Sequence, residues 1–303
     1  MSTTQRRFEP SDLRRLQDLC HDLWRSDPGR LNFETSVGTL AWQGAAPGRA
    51  RVFERHGELV GWARLTPGYD RIRQMGVRDV APPNLVWVVA WRDPAGVEVL
   101  SKIVAWAESR SDEPFTTSHA ASDEQSAAVL RDLGYVADTS EPFGIYLQQR
   151  LVGGDVPTVN GYRFMTMTDV DDVELRAEAH RVAWDGSTRS ADDVRSTMAQ
   201  WPYRPDLDII VFANDGSPAG SAIIWFDDSY EYGEFEPVGT ALAHRGQGLG
   251  AAMLRFGLAR LHAAGATYAV VGARGDDDYP VPRHLYASVG FEKFTTQQIV
   301  HRP

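Results

Sequence analysis

A glycine-rich segment in the second half of the chain has the composition of an anion-binding turn. It reads Arg245-Gly246-Gln247-Gly248-Leu249-Gly250. A predicted strand from Gly233 to Thr240 precedes it, and leucines at steps of four and three predict a helix after it that stops at Gly265. Glycines between a strand and a helix let the backbone approach a ligand closely and leave amides unpaired. Together with the helix dipole these amides suit a pyrophosphate, and Arg245 can add a charge-assisted contact.

Three other interpretations of the glycines are possible. A Rossmann turn follows the first strand of its βαβ unit and has an acidic residue about 20 residues further on. This turn follows the fourth strand of its domain, and no acid occurs until Asp276. A Walker loop needs Lys-Ser or Lys-Thr after the glycines, and neither is present. The last alternative is a tight turn that binds no ligand.

The segment Val238-Gly239-Thr240 and the glycine-rich turn at residues 245–250 together resemble the acetyl-CoA signature of the GNAT N-acetyltransferases, Q/R-x-x-G-x-G/A. The segment Tyr286-Ala287-Ser288-Val289-Gly290-Phe291 is similar to that family's later Tyr-x-x-x-Gly-Phe segment. The resemblance implies acetyl-CoA as co-substrate, with backbone groups of Val238 and Thr240 pairing with the pantetheine arm and the amides of the turn holding the pyrophosphate. The cofactor-binding residues that it implies are Val238, Gly239, Thr240, Arg245, Gly246, Gln247, Gly248, Leu249, Gly250 and Ala251.

Acyl transfer from a thioester to an amine needs a base, a stabilised oxyanion and an acid for the leaving thiolate. Tyr232, Glu234 and Glu236 alternate along the predicted strand, so they should share one face. The resemblance places a glutamate base on this strand. We therefore predict Glu234 as the base, acting directly or through water, with Glu236 as the second choice; a solvated carboxylate is the alternative for each.

Tyr286 is the predicted acid, because a phenol of pKa about 10 can donate to the thiolate as the C–S bond breaks. A core tyrosine without a chemical role is the alternative. A backbone N–H near Val238 is expected to stabilise the oxyanion. One feature departs from the family, in which an asparagine often precedes the final helix. Here residues 276–282 read Asp-Asp-Asp-Tyr-Pro-Val-Pro, and the prolines should delay that helix.

The chain repeats weakly at an offset of about 155–160 residues, which is the size of a domain. Hairpins at 51–63 and 209–223 correspond, and each half ends with a helix that runs into a Gly-aromatic pair. The element order predicts an α/β fold with a mixed α+β sheet, as two tandem GNAT-like domains, each a mostly antiparallel sheet with helices on both faces. Gly153, Gly154 and Pro157 mark the boundary, which gives domains 1–152 and 153–303. The layout is similar to that of mycothiol synthase and other double-GNAT proteins; a chance likeness of two α/β halves is the alternative.

The first half lacks the anion-binding turn. Its corresponding turn, at residues 92–96, reads Arg-Asp-Pro-Ala-Gly, with one glycine, an acid that repels phosphate and a proline without an amide hydrogen. Leu130 stands where the second half has Tyr286. Residues 1–152 are therefore predicted to be a degenerate, non-catalytic copy that buttresses the active copy or shapes the acceptor site.

Composition excludes several classes of protein. The net charge of −10 disfavours nucleic-acid binding. Cys20 is the single cysteine, so no intramolecular disulfide or thiolate zinc cluster can form, and the eight histidines show no metal spacing. No metal is expected. No apolar run approaches the roughly 20 residues of a membrane span, and the N-terminus lacks a signal-peptide pattern, which predicts no membrane association and a cytoplasmic location.

The acceptor is predicted to be the amine of a small molecule. Acidic and aromatic residues around the predicted strand would favour a cationic amine, and a solvated acidic loop is the alternative. These residues are Trp225, Asp227, Asp228, Tyr230, Glu231 and Tyr232, with Asp276, Asp277 and Asp278. Two other functions stay open: transfer to a protein amino group, and a non-catalytic module that binds acyl-CoA for regulation. The oligomeric state is not readable from the sequence.

Overall fold

The computed structural model describes residues 2–30, 32–43, 49–74, 77–154 and 158–303. The chain forms two compact units. The first comprises residues 1–146, 273–280 and 294–303, and the second comprises residues 147–272 and 281–293. Residues 155–157, at the end of the predicted connector, lie outside the described residues.

The helices and strands follow the element order predicted for each half. The strands are β1 (Thr4–Arg7), β2 (Ala50–Arg55), β3 (Glu58–Thr66), β4 (Tyr69–Gln74), β5 (Val77–Ala81), β6 (Asn84–Val89), β7 (Thr116–Ala120), β8 (Val136–Ala137), β9 (Gly144–Arg150), β10 (Tyr162–Thr166), β11 (Asp208–Ala213), β12 (Pro218–Trp225), β13 (Tyr232–Thr240), β14 (Tyr268–Arg274) and β15 (Glu292–His301). The α-helices are α1 (Leu13–Ser26), α2 (Val37–Gln43), α3 (Gly96–Glu108), α4 (Glu124–Asp132), α5 (Met167–Val170), α6 (Val173–Ala183), α7 (Ala191–Met198), α8 (Leu249–Ala263) and α9 (Val281–Ser288).

The sheet of the first unit has the strand order β1-β2-β3-β6-β7-β15. Its strands pair antiparallel except β6 and β7, which are parallel. Helix α3 packs closely on β3, because a methyl group at Gly61 would come within 2.5 Å of the Val99 side chain. Val99, Leu100 and Ile103 of α3 are fully buried in this core.

The last strand of the chain completes the first unit. Gln297 of β15 lies opposite Ala120 of β7, and the side-chain amide of Gln297 donates to the Asn32 oxygen at 2.6 Å. The predicted division assigned residues 273–280 and 294–303 to the second domain, whereas in the structure they pack with the first unit. Pairing between strands that are distant in sequence leaves no local sequence signal. The repeat alone therefore did not indicate that these two segments pack with the first unit. The division of the chain into two copies of one ancestral domain, at residues 1–152 and 153–303, stays a prediction.

The second unit has the strand order β14-β13-β12-β11-β10, antiparallel except for the parallel pair of β13 and β14. Helix α8 covers one face, because a methyl group at Gly257 would meet Phe235 of β13 and Ile224 of β12 within 3 Å. Helix α6 covers the other face, where Ala179 packs with Ile210 of β11. The sheet is therefore buried between helices, as its apolar strands predict.

A buried ion pair connects α6 to β11. The Arg176 guanidinium donates to the Asp208 carboxylate at 2.6 Å, and both side chains are at most 2% exposed. The Tyr203 hydroxyl donates to the second Asp208 oxygen at 3.0 Å. Charges taken out of water are tolerated only when paired and hydrogen-bonded, so loss of one partner leaves an uncompensated buried charge.

Asp208→Ala should therefore lower the free energy of unfolding of the second unit by about 3–5 kcal/mol, measured by urea denaturation. The matched control is Asp192→Ala, which removes an exposed aspartate from an ion pair with Arg195. This control should cost less than about 1 kcal/mol. Equal losses in the two variants would contradict a special role for the buried pair.

Candidate active site

Strands β13 and β14 separate along their length. Their parallel register runs from Tyr232 opposite Tyr268 to Phe235 opposite Val271, although β13 itself continues to Thr240. Beyond Phe235, β13 keeps its antiparallel pairing with β12 on the other side. A gap between two parallel strands therefore opens after Phe235, and it exposes one edge of β13.

The register of β13 shows which backbone groups face this gap. The Ala241 amide donates to the Ala219 carbonyl at 2.9 Å, and Gly239 lies opposite Ser221. Amide directions alternate along a strand, so the backbone groups of Gly239 point toward β12 and those of Val238 point into the gap. Strand edges in protein interiors need hydrogen-bond partners, and an extended ligand containing amides can supply them.

Arg245 ties the end of β13 to the glycine-rich turn. Its Nε donates to the Thr240 carbonyl at 2.9 Å. Of the two backbone positions that the resemblance implied for pantetheine, Thr240 therefore already has its carbonyl paired within the protein. Of these two positions, Val238 is the one with no carbonyl hydrogen bond to Arg245.

The glycine-rich turn has a backbone that requires glycine. Gly246 has φ +75° and Gly248 has φ +76°, in the left-handed region that other residues rarely adopt. No heavy atom of the described residues lies within 4 Å of where a methyl group would stand at either position. The first intrahelical bond of α8 runs from the Ala252 amide to the Gly248 carbonyl at 3.0 Å, so the three preceding helical amides lie at the open helix N-terminus. The turn combines free space, unpaired donors and the positive end of a 15-residue helix.

Two neighbouring elements hold this turn in place. The Tyr162 hydroxyl of β10 lies 2.9 Å from His244 Nδ1 and donates to the Gln247 side-chain oxygen at 3.1 Å. A methyl group at Gly250 would stand 3.2 Å from Leu285 of α9, so this glycine allows α8 and α9 to pack closely. Tyr162 was not among the predicted site residues, since its partners are more than 80 residues away in sequence.

The two candidate carboxylates lie where β13 begins to separate from β14. Glu234 is 3% exposed and lies opposite Trp225 of β12. Glu236 is the second residue on, just past the last pair with β14, and its carbonyl accepts a hydrogen bond from the Trp225 indole at 2.6 Å. Burial, and secondarily the charge of Glu234, raises the pKa of Glu236 to about 8. A shift of this size through desolvation and a like charge is typical of functional carboxyl groups.

Tyr286 lies in α9 and is 6% exposed. Its ring packs edge-on against Phe291 with centroids 5.9 Å apart, and Phe291 packs against Phe235 of β13. The ring is therefore part of the core under β13, and the role of its hydroxyl stays a prediction. Helix α9 begins at Val281, between the two prolines of this segment.

Gly239 has a packing role. A methyl group there would come within 2.4 Å of the Trp184 indole at the end of α6. Trp184 stacks on His180 at 4.2 Å, and burial lowers the pKa of His180 to about 4. This aromatic pair at the end of α6 therefore packs on the face of the sheet at Gly239.

Several of the residues predicted to contact the acceptor are buried or already paired with other side chains. Trp225, Tyr230 and Tyr232 are buried. Asp227 accepts a hydrogen bond from the Trp201 indole at 3.0 Å, and Asp228 forms an ion pair with Arg204 at 2.9 Å. A cavity of about 320 Å³ lies between the segments 201–204 and 226–228. Arg204 reduces the negative charge that the sequence indicated here, and Asp276, Asp277 and Asp278 belong to the first unit.

In the first unit the corresponding turn is closed by its own carboxylate. Asp93 accepts a hydrogen bond from the Ala95 amide at 2.8 Å and forms an ion pair with Arg55 at 2.7 Å. The Ala95 amide, foremost, holds the pKa of Asp93 below its usual range. A methyl group at Gly96 would meet the Trp91 ring at 2.7 Å, so the start of α3 is filled by an indole. Leu130 is fully buried in the core of this unit.

Within the described ranges, no group of three or more His, Cys, Asp or Glu side chains is arranged to hold a metal ion. Among the same residues, no helix combines the length and apolar character that crossing a membrane would need.

Comparison with known proteins agrees with this geometry. Residues 173–291 match the model of the Acetyltransferase (GNAT) family. A search of curated proteins by sequence gave no match. Among solved structures, a GCN5-related N-acetyltransferase from Sphaerobacter thermophilus superposes with a TM-score of 0.62 at 18% identity, covering 99% of this chain and 96% of that one. A tandem GNAT protein from the clavulanic acid biosynthesis pathway gives 0.62 at 17% identity, covering 99% and 98%. A GNAT-family acetyltransferase from Colwellia psychrerythraea gives 0.59 at 13% identity, covering 99% and 98%.

Residues 173–291 thus match the GNAT family model, and the chain over nearly its full length has the fold of the tandem GNAT protein. The predicted fold class and the predicted family resemblance are confirmed.

The backbone conformation of Gly248 predicts how a substitution there changes the affinity for CoA. Alanine at position 248 would adopt φ +76° only at a cost of about 1–2 kcal/mol, so the free turn should relax and binding must restore it. Gly248→Ala should therefore raise the dissociation constant for CoA about 5- to 30-fold in calorimetric titration. Gly216→Ala is the matched control, because Gly216 has φ +87° and open space in the β11–β12 turn. An equal loss of CoA affinity in both variants would contradict the assignment of this turn.

Proposed function

We propose that the second half of the chain transfers an acetyl group from acetyl-CoA to the amine of a small molecule. One observation carries the proposal: the open edge of β13 at Val238 leads directly into a glycine turn of amides at the start of α8. An extended amide-containing arm that ends in a diphosphate matches both parts. The family match of residues 173–291 supports the same chemistry.

Glu236 is proposed as the general base. Its position, just past the last β13–β14 pair, is where a thioester at the inner end of the gap would lie, and a pKa near 8 suits proton transfer close to neutral pH. Glu234 was the first choice from sequence. In the present proposal its charge tunes Glu236, and Glu234 as the direct base is the alternative.

The proposed reaction is a direct transfer. The Glu236 carboxylate takes a proton from the acceptor ammonium, and the amine attacks the thioester carbonyl. The Val238 amide donates to the oxyanion of the tetrahedral intermediate. As the C–S bond breaks, the Tyr286 hydroxyl gives a proton to the CoA thiolate, and the attacking nitrogen gives its second proton to the Tyr286 phenolate through water, which leaves the neutral amide product and the CoA thiol. The proton on Glu236 is returned to solvent, so the cycle closes.

The first copy is proposed to be non-catalytic, because Asp93 already occupies the amide at its turn. The acceptor is proposed to be a small amine. A protein amine and a purely regulatory acyl-CoA module are the alternatives. Turnover distinguishes the regulatory module from an enzyme, because that module would bind CoA but release no CoA thiol with any acceptor.

The raised pKa predicts the pH dependence. The base must be ionised, so kcat/KM should fall about tenfold per pH unit below about pH 8 and level off above it. Glu234→Gln removes a like charge, so the pKa of Glu236 should fall and the acidic limb should move to lower pH. The acceptor's own pKa cannot respond to this substitution, so the movement of the limb identifies the enzyme group. Glu236→Gln should lower kcat/KM about 10²- to 10⁴-fold and abolish the limb.

The opposite pattern would assign the base to Glu234. In that case Glu234→Gln would abolish turnover, and Glu236→Gln would keep both activity and the limb. Circular dichroism and CoA affinity of each variant control for folding and cofactor binding.

Tyr286→Phe tests the acid. Phenylalanine keeps the packing against Phe291, so the fold and the KM for acetyl-CoA should change little, while kcat falls about 10- to 100-fold. Tyr135→Phe is the matched control, because Tyr135 is a buried tyrosine that packs against Phe115 in the first unit. An unchanged kcat in Tyr286→Phe would leave Tyr286 with packing as its only role.

A further inference from the structure

A pocket of about 480 Å³ on the first unit is lined by four arginines. Arg7 ends β1, Arg49 precedes β2, Arg51 lies within β2 and Arg110 follows α3. Secondary structure therefore positions the arginine side chains around one concavity. We call this concavity the arginine pocket. All of its lining residues belong to the first unit, whereas the glycine turn belongs to the second.

The charge of the arginine pocket is opposite to that of the chain. The whole protein carries a net charge of −10. In the part of the chain that the structure describes, none of these four guanidinium groups forms an ion pair with a carboxylate. Asp112 and Glu113 also line the pocket, but both are exposed at its rim, and two carboxylates against four guanidinium groups leave it positive. Burial first, and then the charges of Arg110 and Arg7, lower the pKa of Arg51.

Trp106 of α3 contributes an aromatic side chain to the lining of the pocket. It lines the pocket, is 7% exposed, and lies under the Arg51 guanidinium at 5.6 Å from the ring centroid. Its indole N–H is buried and has no acceptor among the described residues. A buried donor without an acceptor is uncommon in native structures and costs free energy unless a ligand or water satisfies it.

The wall of the pocket therefore carries more guanidinium groups than carboxylates. Clustered like charges repel one another, and a bound anion relieves that repulsion. Guanidinium groups bind phosphate oxygens through paired hydrogen bonds, which makes arginine the usual residue at phosphate sites. A volume of about 480 Å³ lies in the usual range for small-molecule sites. A long polyanion is disfavoured, because the net negative charge of the chain repels an extended phosphate backbone.

We propose that the arginine pocket binds a small organic anion that carries two or more phosphate groups. This site is separate from the proposed acetyl-CoA site and does not depend on the proposed acetyl transfer. The phosphates contact Arg7, Arg49, Arg51 and Arg110, and the organic part lies toward the Trp106 side of the pocket.

Calorimetric titration of the full chain at low ionic strength tests the proposal. The probes are tripolyphosphate, ATP and citrate, each titrated into wild type, into Arg51→Gln/Arg110→Gln and into Arg25→Gln/Arg131→Gln. The last variant is the matched control, because it removes two exposed arginines elsewhere on the first unit. Wild type should bind tripolyphosphate and ATP at a site that Gly248→Ala leaves intact. The pocket variant should bind at least tenfold more weakly, and the control should change less than twofold. Citrate should bind more weakly than either phosphate compound, and tighter binding of ATP than of tripolyphosphate would locate the organic part on the Trp106 side.

Three results would overturn the proposal. The first is no binding of either phosphate compound by wild type. The second is equal weakening in the pocket variant and the control, which would indicate only the general charge of the protein. The third is binding that survives Arg51→Gln/Arg110→Gln but is lost in Gly248→Ala, which would place the anion on the glycine turn. If the double variant is unfolded by circular dichroism, Arg110→Gln alone replaces it, since Arg110 is exposed beyond the end of α3. A CoA titration of the same variants keeps this result distinct from failure of the proposed acetyl-CoA site.

Discussion

The structure of the second unit depends on where β13 and β14 stop pairing. Parallel strands normally satisfy each other's backbone groups along their whole shared length, because an unpaired buried amide or carbonyl is costly. Here the pairing ends at Phe235 while both strands continue. The edge of β13 at Val238 therefore has backbone groups that an extended partner can pair with, and the glycine turn after the same strand has the backbone geometry that suits an anion.

The first unit shows what happens when the same topology lacks these features. Its parallel strands β6 and β7 also pair over a short stretch, at Asn84 and Leu85. The turn that follows is nevertheless satisfied from within, by the Asp93 carboxylate and the Trp91 ring. One carboxylate in the turn thus supplies what a phosphate would supply in the other copy. The two copies share a fold. In the first copy side chains of the protein fill the turn, whereas no described atom lies within 4 Å of a methyl group added at Gly246 or Gly248 in the second.

The sequence predicted the features that depend on local chemistry. Glycines at 246 and 248, with the leucines of α8, were sufficient to predict a strand, a turn and a helix, because positive φ and helical periodicity are properties of short segments. The alternation along β13 correctly brought Glu234 and Glu236 close enough for one charge to act on the other. Hairpins at Gly57 and Gly216 were predicted for the same local reason, and both glycines have positive φ.

Features that depend on distant pairing were not predictable in this way. The Tyr162 bridge to the turn, the ion pair of Arg204 with Asp228 and the addition of β15 to the first unit each join residues far apart in sequence. The proposal of Glu236 as the base rests on its raised pKa, which strand alternation does not reveal. The family resemblance implied acetyl-CoA as co-substrate and two backbone contacts to it. The structure reduces these contacts, because the Thr240 carbonyl already accepts a hydrogen bond from Arg245.

A crystal structure of the chain grown with CoA tests the central claim most directly. The account predicts one CoA per chain, with a pantetheine amide hydrogen-bonded to the Val238 backbone and the diphosphate on the amides between Gly246 and Ala251. CoA held at the Asp93 turn of the first unit, or a well-ordered glycine turn left empty at saturating CoA, would contradict it.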